Sequence, residues 1–205
     1  MPNMAPSYPG VEVRGTKSSP AGRSLWATRD YAPGTVILSM ASPFLVIPNS
    51  EDQRDYCPWC LLHAGKEALA SCTGCRVVGY CSKACQKADW ATVHSKECKA
   101  FRRLGEAKAG KLPTATRALV QALLLPKTKE ALLELEGNED GYARNPAVWG
   151  DMELQAMGAL AAAGMAPLPI ATAEARGLLC RVGSAWCAGV LFLGLMGEAD
   201  RDECV

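Results

Sequence analysis

The sequence predicts an α+β protein built from three consecutive parts: a short β-rich N-terminal segment, a compact cysteine-rich module, and an α-helical region. Three observations lead there. Before Cys57, short runs of β-branched and apolar residues are bounded by glycine and proline. Between Cys57 and Cys98, seven cysteines and a histidine fall into four close pairs. Beyond Cys98, apolar residues recur at helical spacing. A chain of 205 residues accommodates one or two domains.

Residues 1–10 are polar and proline-rich and read as a loose leader. Residues 11–56 form the β-rich segment. Within it Val11-Glu12-Val13 alternates, Gly22–Thr28 is a second candidate strand, and Thr35–Met40 and Phe44–Pro48 are two more. Tyr31-Ala32-Pro33-Gly34 is a turn signal, because proline presets φ and glycine accepts a positive φ.

The pairs in the middle module are Cys57-x2-Cys60, Cys72-x2-Cys75, Cys81-x3-Cys85 and His94-x3-Cys98. Thiolate and imidazole are zinc donors, and two ligands separated by two or three residues chelate one ion from a single knuckle or helical turn. Eight ligands fill two closed, tetrahedral sites, which is the composition of structural rather than catalytic zinc, so two Zn2+ ions are expected. A disulfide framework fits less well: the module's seven thiols are odd in number, a histidine stands at ligand spacing, and no secretory signal is recognised. Spacing leaves the pairing open. Sequential pairing puts Cys57, Cys60, Cys72 and Cys75 on one ion. Interleaved pairing puts Cys57, Cys60, Cys81 and Cys85 on the first, and Cys72, Cys75, His94 and Cys98 on the second. So small a module cannot bury enough apolar surface to stand alone, and the metal replaces a large core. Arg76, Lys83, Lys87 and Lys96 lie among the ligands and offset the surplus thiolate charge, a simpler reading than a nucleic-acid patch in a chain of net charge +1.

The run Gly79-Tyr80-Cys81-Ser82-Lys83-Ala84-Cys85-Gln86, followed by Trp90-Ala91-Thr92-Val93-His94-Ser95-Lys96-Glu97-Cys98, resembles a MYND-type zinc finger. All ligands of that pattern are present, with its aromatic before the fifth ligand and its tryptophan four residues before the histidine. The resemblance spans residues 57–98 and implies the interleaved, cross-braced pairing. It also implies that Gln86 and Trp90 flank a groove beside Val77–Tyr80 that takes proline-containing peptide segments of other proteins; the alternative is that Trp90 only packs the small core of the finger.

A second resemblance precedes the finger. Gly22-Arg23-Ser24-Leu25-Trp26-Ala27-Thr28-Arg29-Asp30, then Pro33-Gly34-Thr35-Val36-Ile37-Leu38, is similar to the opening strands of a SET domain. A SET opening followed by a MYND finger is the layout of the SET-and-MYND protein-lysine methyltransferases. In that family a Gly-x-Gly turn lets the backbone approach S-adenosylmethionine, and Gly22, Arg23 and Ser24 stand at the corresponding positions, with serine in place of the second glycine.

Residues 99–182 read as a helical region, like the helical insert of that family. Helices are expected over Ser82–Trp90 and Ala91–Leu104, over Thr114–Leu125 from an N-cap at its start to the stop before Pro126, over Lys129–Leu135, over Met152–Met165 and over Thr172–Val182. Asn138–Gly141 reads as a loop. Residues 183–205 are an atypical apolar tail with an acidic end, read as a truncated or alternatively spliced frame rather than the helical tail of a short paralogue. Truncation would leave the early strands without sheet partners. No stretch reaches the length of a membrane span.

The family completes its catalytic site with an Asn-His motif and a late tyrosine. Here neither His63 nor His94 follows an asparagine, and no tyrosine follows Tyr142. Cys180, Cys187 and Cys204 lack metal spacing and read as ordinary thiols. The expected function is therefore a zinc-binding MYND interaction module on an incomplete SET scaffold, with no catalytic residue of its own. The alternative is an S-adenosylmethionine-dependent protein-lysine methyltransferase of which this is a fragment. Nucleic-acid binding through Lys99, Arg102, Arg103, Lys108 and Lys111 is the third reading, against a solvated helix face. Reduced thiols point to the nucleus or cytoplasm.

Overall fold

The structure is a computed structural model that describes residues 10–15, 24–37, 44–49, 54–65, 69–106 and 111–187. The chain divides into two compact units, residues 1–43 and 44–205.

In the first unit, β1 (Val11–Arg14) pairs antiparallel with β2 (Ser24–Ala27), in the register Val11 opposite Ala27 and Arg14 opposite Ser24. Both strands follow the expected runs. The Arg14 guanidinium lies 4.6 Å from the Trp26 ring centroid, the distance of a cation–π contact. The expected turn is present: Thr35 N–H donates to Ala32 carbonyl oxygen, and Gly34 takes φ +82° after Pro33. That positive φ is what a type II turn demands and what glycine supplies without a Cβ clash.

Two expected strands are corrected. Residues 35–37 are not a strand, and the remainder of Thr35–Met40 lies outside the described residues. Phe44–Pro48 is irregular too, and it belongs to the second unit. Its alternate side chains Leu45 and Ile47 are 3% and 2% exposed, inserted into the helical core. The apolar run signals burial rather than strand pairing: helices cover these side chains, and a strand exists only where another backbone completes its hydrogen bonds.

The second unit begins its regular structure with the two-residue strands β3 (Ala70–Ser71) and β4 (Gly79–Tyr80), paired antiparallel. Then come α1 (Lys83–Asp89), a π-helical turn over Trp90–His94, and α2 (Ser95–Glu106), continuous with it. Five more helices follow: α3 (Thr114–Leu124), α4 (Pro126–Leu133), α5 (Glu139–Ala143), α6 (Pro146–Ala163) and α7 (Pro169–Cys187).

Several boundaries differ for identifiable reasons. Thr114 is the first helical residue rather than the cap, since its hydroxyl bonds Asn49 Oδ1 at 3.1 Å. Helix α4 starts at Pro126, whose missing N–H costs nothing in the first turn. Asn138–Gly141 is not simply a loop: Asn138 takes φ +37° and Glu139 opens the single-turn α5. Asn145 caps α6 by accepting from the N–H groups of Ala147 and Val148, extending that helix upstream of Met152. Gly164 ends it in the left-handed region at φ +79°. Helix α7 runs past Arg181 with Val182 in the core, while residues 188–205 lie outside the described residues.

Helix α3 is the centre of this unit and packs against α2, α4, α6 and α7. Eight of its residues are buried, Thr114, Thr116 and Arg117 to Ala122, so it has scarcely any solvated face. A second apolar cluster, Val78, Tyr80 and Phe101 among the cysteines, meets the helical core through Leu104 and Leu112.

Candidate metal centre

Two knuckles begin the module, and their backbones repeat one design. Leu61 N–H donates to the Cys57 carbonyl at 2.8 Å, and Arg76 N–H donates to the Cys72 carbonyl at 2.9 Å. In both turns the residue after the second cysteine is left-handed, at φ +59° for Leu61 and for Arg76. Each first cysteine donates its N–H to a carbonyl farther on, Cys57 to Leu62 and Cys72 to Val78. This turn folds the chain back so that the two thiols of each Cys-x2-Cys pair face one point. Val77 N–H adds a bond to Cys75 Sγ at 3.5 Å. In the second knuckle a Cβ on Gly74 would lie 3.0 Å from Cys98 Sγ, so glycine keeps the space around the thiols clear.

The other four ligands come from the helical hairpin. Ser82 caps α1 by accepting from Cys85 N–H at 3.1 Å, which anchors Cys85 one turn from Cys81. The Thr92 hydroxyl bonds the carbonyls of Ala88 and Asp89 at 3.1 and 3.3 Å, competition that suits the wide π turn ending at His94. Cys98 then follows one turn along α2.

The ligand atoms gather in two groups, Cys57, Cys60, Cys81, Cys85 and Cys72, Cys75, His94, Cys98, each with all its atoms within 4.8 Å of one another. This is the interleaved pairing that spacing alone left open. Zinc fits both groups. Tetrahedral thiolates at zinc–sulfur distance stand about 3.8 Å apart; Cys60 and Cys81 Sγ are 3.5 Å apart, and Cys72 and Cys98 Sγ 4.0 Å. Cys75 Sγ to His94 Nε2 is 3.6 Å, close to the mixed sulfur–nitrogen edge of such a tetrahedron.

Burial separates the sites. In the four-thiolate group Cys57 is buried but Cys60 and Cys81 are exposed, whereas Cys72, His94 and Cys98 of the other are all buried, with His94 fully so. The imidazole of His94 is wedged among Tyr80, Trp90 and Phe101, with ring centroids 5.9, 5.9 and 6.4 Å away. The Tyr80 hydroxyl donates to Asp89 Oδ2 at 2.8 Å, satisfying a buried carboxylate and tying β4 to α1.

Behind the buried site lies a polar group that sequence reading missed. Glu97 stands between two ligands in the chain and is 1% exposed. Its carboxylate faces His94 Nδ1 at 3.5 Å and accepts from Arg117 Nε at 2.7 Å, Arg117 Nη2 at 3.0 Å and Gln121 Nε2 at 3.0 Å. The Arg117 guanidinium also lies 5.3 Å from the Phe101 ring centroid. Burial pushes the Glu97 carboxyl up, but Arg117, His94 and Gln121 outweigh it and hold it at about 2. Burial likewise opposes an imidazolium at His94, yet the facing Cys75, Glu97 and Cys72 outweigh it and raise the ring to about 10. The legible signal was Arg117 and Gln121, one helical turn apart in the otherwise apolar run 114–125.

Residues 57–98 match the MYND finger family. This module is a MYND-type zinc finger. Beyond the finger the chain is similar to SET-and-MYND proteins. It is 38% identical over 100 residues to the histone-lysine N-methyltransferase ASHR1 of Arabidopsis thaliana, covering 49% of this chain and 20% of that one. It is 32% identical over 139 residues to SET domain and MYND-type zinc finger protein 6 of Schizosaccharomyces pombe, covering 67% of this chain and 28% of that one. It is 34% identical over 92 residues to human histone-lysine N-methyltransferase SMYD3, covering 45% and 21%. The chain thus spans between a fifth and three tenths of these relatives' length.

The remaining candidate residues fall in different places. Gly22 and Arg23 lie outside the described residues, and Ser24 is the exposed first residue of β2. Gln86 sits on α1 and Trp90 one turn later, where the Trp90 N–H bonds the Gln86 carbonyl. Of the basic run after the finger, Arg103 is engaged, donating to the Ala162 carbonyl at the end of α6 at 3.1 Å. Lys108 lies outside the described residues. No helix among the described residues is long and apolar enough to cross a membrane.

Proposed function

We propose that this chain is a zinc-stabilised MYND interaction module on an incomplete SET scaffold, acting in the nucleus or cytoplasm, and that it takes proline-containing peptide segments of other proteins between Gln86 and Trp90. One observation carries the reading. Trp90 is 47% exposed although its ring stands steeply inclined to that of His94 with centroids 5.9 Å apart, so part of it contacts a zinc ligand while much of the side chain stays open. A residue that only filled the finger's core would be covered. A rigid, half-open tryptophan anchored to a metal site is the chemistry of a proline anchor, because the flat ring covers pyrrolidine at low entropic cost. The backbone of Val77–Tyr80, whose Gly79 and Tyr80 pair with β3 on one side, is the segment against which an extended peptide would lie.

The test uses the full zinc-loaded chain and a proline-rich peptide array, with hits measured by calorimetry. Trp90→Ala is expected to weaken the selected peptides at least tenfold while two zinc ions per chain and the far-ultraviolet spectrum are retained. Equal binding by that variant, or no proline-containing peptide bound at millimolar concentration, sinks the reading.

The second reading is lysine methylation using S-adenosylmethionine by a longer protein of which this chain is a part, favoured by the histone-lysine N-methyltransferases of Arabidopsis and human among its relatives. In that case Gly22, Arg23 and Ser24 are the positions that would approach the cofactor. Saturable binding of S-adenosylmethionine by this chain would favour it. Nucleic-acid binding has less support: Arg103 is engaged at α6, while Lys99 and Arg102 are exposed as a solvated helix face would have them, and Lys111 is exposed beyond that helix.

A further inference from the structure

We infer that Glu97 is a positioning residue that makes the buried zinc ion a structural part of the helical region: the ion orients His94, His94 faces Glu97, and Glu97 holds Arg117 and Gln121 of α3.

The direction of each bond follows from the ligand geometry. His94 turns Nε2 toward Cys75, at 3.6 Å, and Nδ1 toward Glu97. A neutral imidazole that ligates zinc through Nε2 carries its proton on Nδ1, so the ring becomes an obligatory donor to Glu97 Oε2. The carboxylate's other bonds all come from α3, the helix around which α2, α4, α6 and α7 pack. Arg117 reaches Glu97 through two nitrogens, and Glu97, Arg117 and Gln121 are all buried. Members of a water-excluded network of this kind cannot exchange a lost partner for solvent. When the ion leaves, three thiols and an imidazole are released beside Glu97, and His94 loses the constraint that aims Nδ1 at it. The disturbance falls on α3, about which the helical region is organised.

The four-thiolate site has no such path among the described residues. Its exposed members, Cys60 and Cys81, bond each other, and Cys81 bonds Cys85. Two ions of similar chemistry therefore differ in reach. One closes the tip of the finger. The other joins the finger to the helices.

Amide exchange and zinc content, followed together on the full zinc-loaded chain, test this. Zinc is withdrawn stepwise with a competing chelator, and thiol alkylation read by mass spectrometry reports which cysteines are freed. Loss of zinc from Cys72, Cys75 and Cys98 is expected to accelerate exchange across residues 114–124 at least tenfold, whereas loss from Cys57, Cys60, Cys81 and Cys85 leaves that helix protected. Glu97→Gln keeps an acceptor for His94 but removes the charge facing Arg117. It is expected to weaken the buried zinc about 10- to 100-fold and the exposed zinc less than twofold. The unaltered site in the same molecule separates this effect from general destabilisation. Protection of α3 that survives release of the buried zinc in the unsubstituted chain overturns the inference, and that measurement needs no variant to fold. So does a Glu97→Gln protein in which both zinc affinities fall equally or neither falls.

Discussion

The two zinc sites share one construction and have different consequences. Both start from a knuckle with the same carbonyl bond and the same left-handed residue, at Leu61 in one and Arg76 in the other. Yet Cys60 and Cys81 are exposed, while His94 and its neighbours sit among aromatic rings and against a buried carboxylate. Ligand type alone does not explain the contrast. What differs is where the second pair of ligands comes from. Cys81 and Cys85 precede the helices or open them, whereas His94 and Cys98 lie where the π turn and α2 pass into the core. A metal site inherits the burial of the element that delivers its last ligands.

Removing a ligand from each site in turn should expose that difference most. Cys75→Ser is expected to abolish one zinc and, with it, the cooperative thermal transition of the helical region. Structural zinc supplies on the order of 10–16 kcal/mol to small fingers at neutral pH. Cys60→Ser should also lower zinc to one per chain, but with most far-ultraviolet helicity kept. Metal analysis and circular dichroism on both variants decide this, and a zinc content of two in Cys60→Ser would refute the ligand assignment.

Acid should separate the sites without mutation. Thiolate ligands bind zinc in competition with protons, so affinity falls as pH falls, and most steeply for the group with more thiolates. Burial raises the Cys57 thiol, but the N–H groups of Cys60, Cys81 and Trp59 dominate and bring it to about 7. Glu97 is shifted in the same direction but over a lower pH range: its folded value of about 2 is depressed from 4.5. Its contribution is therefore complete above the unfolded value and disappears as pH falls toward 2. Titration from pH 7 downward is expected to release the exposed zinc first and the buried zinc next, with helicity falling at the second step. Zinc release detected by a chromogenic chelator, alongside helicity, would show that order; simultaneous release would erase the distinction.

The smallest effect belongs to Ser82. Its hydroxyl satisfies Cys85 N–H at the start of α1, so Ser82→Ala should cost about 1 kcal/mol and loosen only the four-thiolate site. Zinc exchange measured separately for the two sites should quicken at that one. An equal change at the buried site would mean that α1 serves both.

Reading the sequence worked where chemistry is local. The eight ligands announce themselves because chelation requires short spacing, and the Pro33-Gly34 turn because φ preferences are residue properties. Helix α7 was legible from Ala175, Leu178, Leu179 and Val182, all of them buried. The errors arose where a distant partner decides. Leu45 and Ile47 have the alternation of a strand, but helices rather than a neighbouring strand took their side chains. Thr114 looked like a cap until Asn49 took its hydroxyl.

What the sequence determined by itself is therefore the zinc chemistry, the family resemblance of the finger and the helical character of the region after it. The interleaved pairing that the resemblance implies is the one the geometry brings together, but two things required the tertiary structure: which of the two ions is shielded, and that Glu97 joins the buried one to Arg117 and Gln121. The physical reason is separation along the chain. Spacing specifies what a few neighbouring residues can grip, but Glu97 and Arg117 stand 20 positions apart, and only the packing of α2 on α3 removes the water between them.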